Sequence, residues 1–190
     1  AKKQGIKVHG IICYTNNPEY TDKFFVEYAK QLKKAGADAI LLKDSAGVLY
    51  PETAVSLIQK LQKATSLNVN LHIHTTSSIA NITTFEAIKA GLDGIDCSMG
   101  ALSFPATQPS TENILRIFQN DPNILVNQEK ITEIAKKIAD ICLKKELTKP
   151  YFPLNTKNIF DTELTRVSFS FLYGQLKQRN VLDKLSLVLK

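Results

Sequence analysis

Short apolar runs alternate with amphipathic stretches through the first half of the chain. Four of these runs have the length and composition of buried strands, at residues 6–13 (IKVHGIIC), 38–43 (DAILLK), 69–74 (VNLHIH) and 92–98 (LDGIDCS). A stretch with helical spacing follows each of the first three runs. This order predicts βαβ units, and therefore an α/β fold with a parallel sheet.

The helical stretches carry start and stop signals. Thr21 can cap the first helix and Gly36 can end it, Pro51 suits the first turn of the second, and Gly91 follows the third. Each strand and helix together occupy about 30 residues, the size of one step in a (β/α)8 barrel or in a doubly wound sheet. None of the strands is followed by the GxGxxG turn of dinucleotide-binding sheets, which counts against that function.

Strand signals stop after Pro109, and helical patterns take over at residues 110–118, 128–145 and 169–189. The second of these stretches has apolar residues at helical spacing, on one stripe: Ile131, Ile134, Ala135, Ile138 and Ile141. We therefore divide the chain into a sheet-forming part, residues 1–109, and a C-terminal helical extension, residues 110–190.

Composition indicates the size of the domain and argues against some classes of partner. With 190 residues and 44% hydrophobic side chains, the chain can bury the core of one ordinary domain. The net charge of +6 comes from lysines scattered along helices, so we expect no nucleic-acid partner.

No apolar run reaches the roughly 20 residues that cross a bilayer, and we expect a cytoplasmic protein without a signal peptide. Cys13, Cys97 and Cys142 lack CxxC spacing, and we expect them to be reduced and packed in the interior.

Two histidines on the third strand are the first candidates for chemistry. His72 and His74 are two residues apart, so both side chains point to the same face of the strand. Two imidazoles at one place can bind a divalent metal, or each can satisfy a local hydrogen bond.

Lys43 ends the second apolar strand, at the carboxyl edge where barrel active sites lie. The neutral amine of a lysine partly shielded from water can react with CO2 to give a carbamate, which would bind a metal as a carboxylate does. The alternative is an ion pair between Lys43 and a neighbouring acid. Asp44, the next residue, would be that acid or would orient the metal ligands from a second layer.

Several segments together resemble the carboxyltransferase domain of biotin-dependent enzymes, the family of oxaloacetate decarboxylase, pyruvate carboxylase and transcarboxylase. The segment that begins at Lys43, KDSAGVLYP, is similar to the family's KDMAGLLKP, whose lysine is carbamylated and binds the metal. Residues 71–74 (LHIH) are similar to its LHxH strand. Further segments agree in order and spacing, at residues 12–15, 18–21, 93–98 and 109–112.

The resemblance implies a partial TIM (β/α)8 barrel, in which the four strands correspond to the fifth to eighth strands of the family. It implies a divalent metal (zinc, manganese or cobalt) on Lys43, His72 and His74, and biotin carried on another domain or chain. The implied reaction exchanges a carboxyl group between carboxybiotin and pyruvate or oxaloacetate, with the metal polarising the keto acid's carbonyl.

The family's first four strands, which hold an aspartate ligand and an arginine that grips the keto acid, have no counterpart in this sequence. The implied partners are the missing half of the barrel, a biotin carrier domain and the keto acid. We expect the isolated chain to be inactive, and to self-associate as a homo-oligomer through its exposed sheet edges.

The sequence departs from the family at several positions, and other functions stay open. The resemblance puts the proton-shuttling threonine of the carboxylases at Ala106, with Thr107 beside it as the remaining candidate for a catalytic hydroxyl. Residues 165–167 (TRV) replace a proline-glycine-glycine turn. One alternative is a metal-dependent lyase or condensing enzyme of the hydroxymethylglutaryl-CoA lyase or isopropylmalate synthase type, which shares the histidine pair but lacks the lysine. The other is a catalytically degenerate structural remnant.

Overall fold

The computed structural model describes residues 2–77, 79–103, 107–124, 126–145 and 166–188. Its sheet has four strands in sequential order: β1 (His9–Cys13), β2 (Ala39–Asp44), β3 (Asn68–Ile73) and β4 (Gly94–Ile95). Each strand pairs with the next in parallel. The predicted α/β fold with a parallel sheet is therefore confirmed.

Helices connect the strands and continue after the sheet. The connecting helices are α1 (Asp22–Lys34), α2 (Pro51–Thr65) and α3 (Ile79–Lys89). After the sheet come α4 (Thr111–Ile117), α5 (Gln128–Lys144), α6 (Arg166–Gln178) and α7 (Leu185–Val188). Within the described ranges, no helix combines the length and the apolar character needed to cross a membrane.

The start signals of the helices agree with the structure in part. Pro51 is the first residue of α2, as predicted, and the Ser110 side chain accepts a hydrogen bond from the Asn113 amide at the start of α4. Thr21 precedes α1 in extended backbone, but its side chain makes no capping hydrogen bond. Acidic Asp22 in the first turn and lysines in the last turn instead complement the dipole of α1.

One face of the sheet packs against the connecting helices. Its side chains are fully buried: Ile12, Ile40, Leu42, Leu71 and Ile73. The helices contribute the other half of this core, with Phe25, Ala29, Leu57, Ile58, Leu61, Ala80 and Ala87. Burying a side chain the size of leucine contributes about 1.5–3 kcal/mol, so this layer supplies most of the cohesion of the described sheet.

The other face of the sheet, which we call the open face, has side chains that are more exposed to solvent. His9, Ile11 and Cys13 are exposed on β1, whereas Lys43 on β2 and His72 on β3 are half-buried. The alternation arises because successive side chains on a strand point to opposite faces. The open face therefore holds the predicted site residues Lys43 and His72.

Two aspartates anchor the strand register by the same pair of bonds. The Asp38 amide donates to the Val8 carbonyl (2.7 Å) while the Asp38 carboxylate accepts from the Val8 amide (2.8 Å). Asp93 repeats this exchange with Val69 on β3, at 3.2 and 2.8 Å. The two bonds align the start of β1 with β2, and of β3 with β4.

The structure refines two expectations and corrects a third. The apolar stripe of α5 is only partly covered, since Ile134 is 45% and Ile141 55% exposed. The helical region predicted at 169–189 contains two helices, because the chain leaves α6 at Gln178 and passes through Asn180 with a positive φ of 56° before α7. Cys13 is exposed rather than packed, although it is a free thiol as expected.

Candidate metal centre

The strand register brings the predicted site residues Lys43 and His72 into one row with Cys13. Cys13 on β1 is paired with Lys43 on β2, and Lys43 with His72 on β3. All three lie at or next to the carboxyl end of their strand. Paired residues on neighbouring strands lie about 5 Å apart, so the Lys43 side chain emerges directly beside His72 on the open face.

The two histidines converge as their spacing predicts. His72 Nε2 and His74 Nε2 are 3.2 Å apart. Metal–nitrogen bonds of about 2.0–2.1 Å, meeting at roughly 90–110°, put two ligand nitrogens about 2.9–3.4 Å apart. The observed separation therefore fits two ligands of one ion. Among the described residues, no group of three or more histidine, cysteine, aspartate or glutamate side chains could hold a metal.

Asp96 is a neighbour of the site that the sequence reasoning missed. Its Oδ2 lies 2.7 Å from His72 Nδ1, on the far side of the ring from His74. Pairs of a carboxylate and a metal-binding histidine commonly have this arrangement, because the carboxylate holds the ring and its proton in place. Leu71 pairs with Ile95, so the register places Asp96 next to His72. The strand pattern could have revealed this contact, had β4 been aligned with β3.

Gln108 is the second missed residue. Its Nε2 lies 3.1 Å from His72 Nε2 and 3.2 Å from His74 Nε2, while its Oε1 accepts a hydrogen bond of 3.0 Å from the Ser98 hydroxyl. A parallel bridge between Ser98 and Ser110 returns the loop after β4 to this place. A polar cavity of about 310 Å³ adjoins Gln108, lined also by Thr75, Asn81, Gly100, Ser103, Ser110 and Asn113.

Asp44 does not pair with Lys43, which was one of the two roles expected of it. It is fully buried on the helix-facing side of β2, opposite to Lys43. Its carboxylate accepts hydrogen bonds from three backbone amides of the loop between β2 and α2: those of Ala46, Gly47 and Leu49. Burial raises the pKa of Asp44 to about 6, against the lowering effect of these amides.

The loop that Asp44 supports contacts the backbone of the histidine strand. The His74 amide donates to the Asp44 carbonyl at 2.9 Å, and the Ser77 hydroxyl donates to the Gly47 carbonyl. A Cβ at Gly47 would lie only 2.4 Å from the His74 carbonyl oxygen. Asp44 thus affects the position of His74 through the backbone and through the loop that its carboxylate holds, and not by contact with the imidazole.

Thr107 lies beside the site, and its hydroxyl is engaged with the backbone. The hydroxyl donates to the Leu102 carbonyl at 2.9 Å, and the Thr107 carbonyl accepts from the amide and the hydroxyl of Thr75. Ala106 and Thr165 lie outside the described residues, as do the side chains of Arg166 and Val167.

Several known proteins are similar to this chain. A pyruvate carboxylase subunit of Methanothermobacter thermautotrophicus is 33% identical over 198 aligned residues, which cover 100% of this chain and 34% of that protein. The large subunit of the 2-oxoglutarate carboxylase of Hydrogenobacter thermophilus is 29% identical, and the match covers 97% of this chain and 29% of that protein. The chain thus spans about a third of the length of these relatives.

The structural comparison extends over nearly the whole chain. The carboxyl transferase domain from Rhizobium etli pyruvate carboxylase with pyruvate matches with a TM-score of 0.91 and 27% identity, over 99% of this chain and 33% of that one. A family model described as HMGL-like matches residues 1–115, which include β1 to β4 and every predicted site residue. The chain therefore belongs to the HMGL-like family.

Proposed function

We propose that the chain is part of a metal-dependent, biotin-linked carboxyltransferase acting on pyruvate or oxaloacetate. The observation that carries this proposal is the convergence of His72 Nε2 and His74 Nε2 beside Lys43 at the carboxyl ends of parallel strands. The similarity to pyruvate carboxylase subunits and to a pyruvate-bound carboxyl transferase domain supports this choice of substrate. The transfer is balanced: carboxybiotin and pyruvate give biotin and oxaloacetate, or the reverse.

The residues present fit a divalent metal such as zinc, manganese or cobalt. Two imidazole nitrogens stand at ligand spacing, and the carboxylate of Asp96 faces the far nitrogen of His72. In this proposal His72, His74 and Lys43 would hold the ion. A bound metal would polarise the carbonyl of the keto acid.

Lys43 suits the third position only in a modified form. An ammonium beside the two imidazoles would repel a cation, whereas a carbamate carries the negative charge that a metal ligand needs. The modification is balanced without an enzyme: the neutral amine adds to the carbon of CO2 and releases one proton. Half-burial of Lys43 on the open face, between Cys13 and His72 in the row, supports this role.

The four strands would be half of a (β/α)8 barrel, with the open face turned toward its interior. Ile11 on that face is 47% exposed, which supports a partner that covers it. The outer edges of β1 and β4 would pair with further strands of the barrel, or with a second copy of the chain in a homo-oligomer. A biotin carrier domain would deliver the carboxyl group. Helices α4 to α7 would form the helical extension beyond the barrel.

The Thr107 hydroxyl would relay a proton only after leaving the Leu102 carbonyl, to which it donates at 2.9 Å. The histidine pair by itself would also suit a lyase of the hydroxymethylglutaryl-CoA type. Lys43 in register with His72, together with the carboxylase relatives, favours the carboxyltransferase.

The test is the metal content of the purified protein, with bicarbonate present, measured by elemental analysis. We expect near-stoichiometric metal in the wild type, and its loss in the His72→Ala, His74→Ala double variant and in Lys43→Ala. His9→Ala is the matched control, because His9 lies on the same open face at the other end of β1. Oxaloacetate decarboxylation by the complete enzyme should fall with the metal. Metal-free wild-type protein would instead mean either that the family's missing aspartate ligand is indispensable or that the chain is a structural remnant.

If Lys43→Ala alone keeps its metal and its turnover, a catalytic carbamate is excluded. The lyase alternative would then be favoured, since it uses the histidine pair without the lysine.

A further inference from the structure

The hydrogen bonds around His72 assign the position of its proton. Nδ1 faces Oδ2 of Asp96 at 2.7 Å, and the Asp96 side chain is 51% exposed. The oxygens of a carboxylate accept hydrogen bonds. The proton of a neutral His72 ring therefore belongs on Nδ1. Its Nε2 is left with a lone pair that points toward His74.

The contacts of Gln108 lead independently to the same assignment. The Ser98 hydroxyl bonds to the Gln108 oxygen, which turns the amide nitrogen toward the two rings. This nitrogen is 3.1 Å from His72 Nε2 and 3.2 Å from His74 Nε2. An amide nitrogen has two N–H donors and no acceptor. With the amide in this orientation both Nε2 atoms accept, which is the tautomer that Asp96 favours on His72.

We propose that Asp96 is a positioning residue, which holds His72 in the Nδ1-protonated tautomer and so aims its Nε2 lone pair at the point shared with His74. The inference rests on the proposed metal-dependent function and deepens it. The Gln108 amide nitrogen lies against the same point, and a bound ion would have to displace it. Without Asp96, His72 can move its proton to Nε2, where it would face the ion.

Burial and position indicate that Asp96 and Gln108 have different effects on the His72 ring. The His72 side chain is only 21% exposed, so its ring has few water molecules available to replace a lost partner. Asp96 approaches it from β4, a different strand from the two histidines, and holds the outer edge of the ring. Gln108 contacts the inner edges of both rings.

Two measurements on the full chain test the inference. Long-range proton–nitrogen NMR spectra of the metal-free protein, in mildly alkaline solution where imidazole is neutral, distinguish a protonated ring nitrogen from an unprotonated one. We expect His72 to be protonated on Nδ1 in the wild type and in Gln108→Leu. It should become a mixture of tautomers in Asp96→Ala, and Asp96→Asn, which keeps an acceptor oxygen, should restore the wild-type state in part.

The second measurement is zinc affinity by competition with a chromogenic chelator. Asp96→Ala should bind zinc roughly 10–100-fold more weakly than the wild type. Asp140→Ala should be unchanged, because it removes the same charge from an exposed position on α5. Circular dichroism shows whether each variant is folded.

An unaltered His72 tautomer in Asp96→Ala would overturn the inference, and so would a tautomer that follows Gln108 instead. Absence of zinc binding in the wild type, even with the missing half of the barrel restored, would refute the proposed function. The tautomer measurement would still decide the role of Asp96, so the two failures are distinguishable.

Discussion

Replacing Gly47 by alanine tests whether the loop between β2 and α2 holds the histidine strand in place. Gly47 has a positive φ of 73°, and an added Cβ would lie 2.4 Å from the His74 carbonyl oxygen. Ordinary carbon–oxygen contacts are longer by roughly 1 Å, so the loop or the strand has to move by about that distance. The opposing atom belongs to the backbone, and no change of rotamer relieves the clash.

The expected loss of stability has two parts. Alanine in the left-handed region costs about 1 kcal/mol relative to glycine. Overpacking against the strand adds about 1–3 kcal/mol, for a total of about 2–4 kcal/mol. Gly91→Ala is the matched control, because Gly91 also has a positive φ (90°) but nothing within 4 Å of the added Cβ. This variant should lose only the first part.

Urea unfolding of the two variants gives the difference in unfolding free energy, and chelator competition gives their zinc affinity. The His74 amide donates to the Asp44 carbonyl at the start of the same loop, so displacement of the loop should reach the metal ligand. We expect zinc affinity to fall by roughly tenfold in Gly47→Ala, as for other supporting residues of metal sites, and to stay unchanged in Gly91→Ala. Equal unfolding free energies, together with unchanged zinc affinity in both variants, would refute the reasoning.

Two further predictions concern Asp44 and Cys97, whose pKa values are raised by desolvation. The folded-state pKa of Asp44 is about 6, raised mainly by burial from an ordinary 3.8, so its contribution to stability is complete below about pH 4 and is lost as the pH rises through 6. The unfolding free energy of the wild type minus that of Asp44→Asn should therefore fall by up to about 3 kcal/mol between pH 4 and pH 7, and a rise instead would show that the loop amides outweigh desolvation. Burial, and secondarily the charge of Asp96, raises the pKa of Cys97 to about 11. Alkylation by iodoacetamide at neutral pH, followed by mass spectrometry, should therefore modify the exposed Cys13 well before Cys97.

The elements of the fold were largely readable from the sequence because their signals are local. Apolar runs located β1 to β3, and helical spacing with Pro51 and Gly91 located the helices between the strands. The isoleucine stripe correctly predicted the helix α5, but Ile134 and Ile141 on this stripe are exposed. An amphipathic face shows that a helix can be buried on one side, but not which element covers that side.

The candidate site was also predictable from the sequence only in part. That His72 and His74 share a face follows from the two-residue repeat of a strand alone, and the candidate ligand Lys43 was found from its place at a strand end. That Asp44 turns away from Lys43 follows from the same repeat. The expectation for Asp44 overlooked this alternation because sequence neighbours on a strand look adjacent while their side chains point apart.

Only the tertiary structure determined which residues surround the imidazole rings of His72 and His74. Asp96 is 24 residues from His72 in sequence, and Gln108 is 36 residues from it. Their positions depend on the register of β4 against β3 and on the bridge between Ser98 and Ser110. Local periodicity determines which face a side chain points to. Contacts between distant segments are determined by strand register and loop closure, which no local pattern encodes.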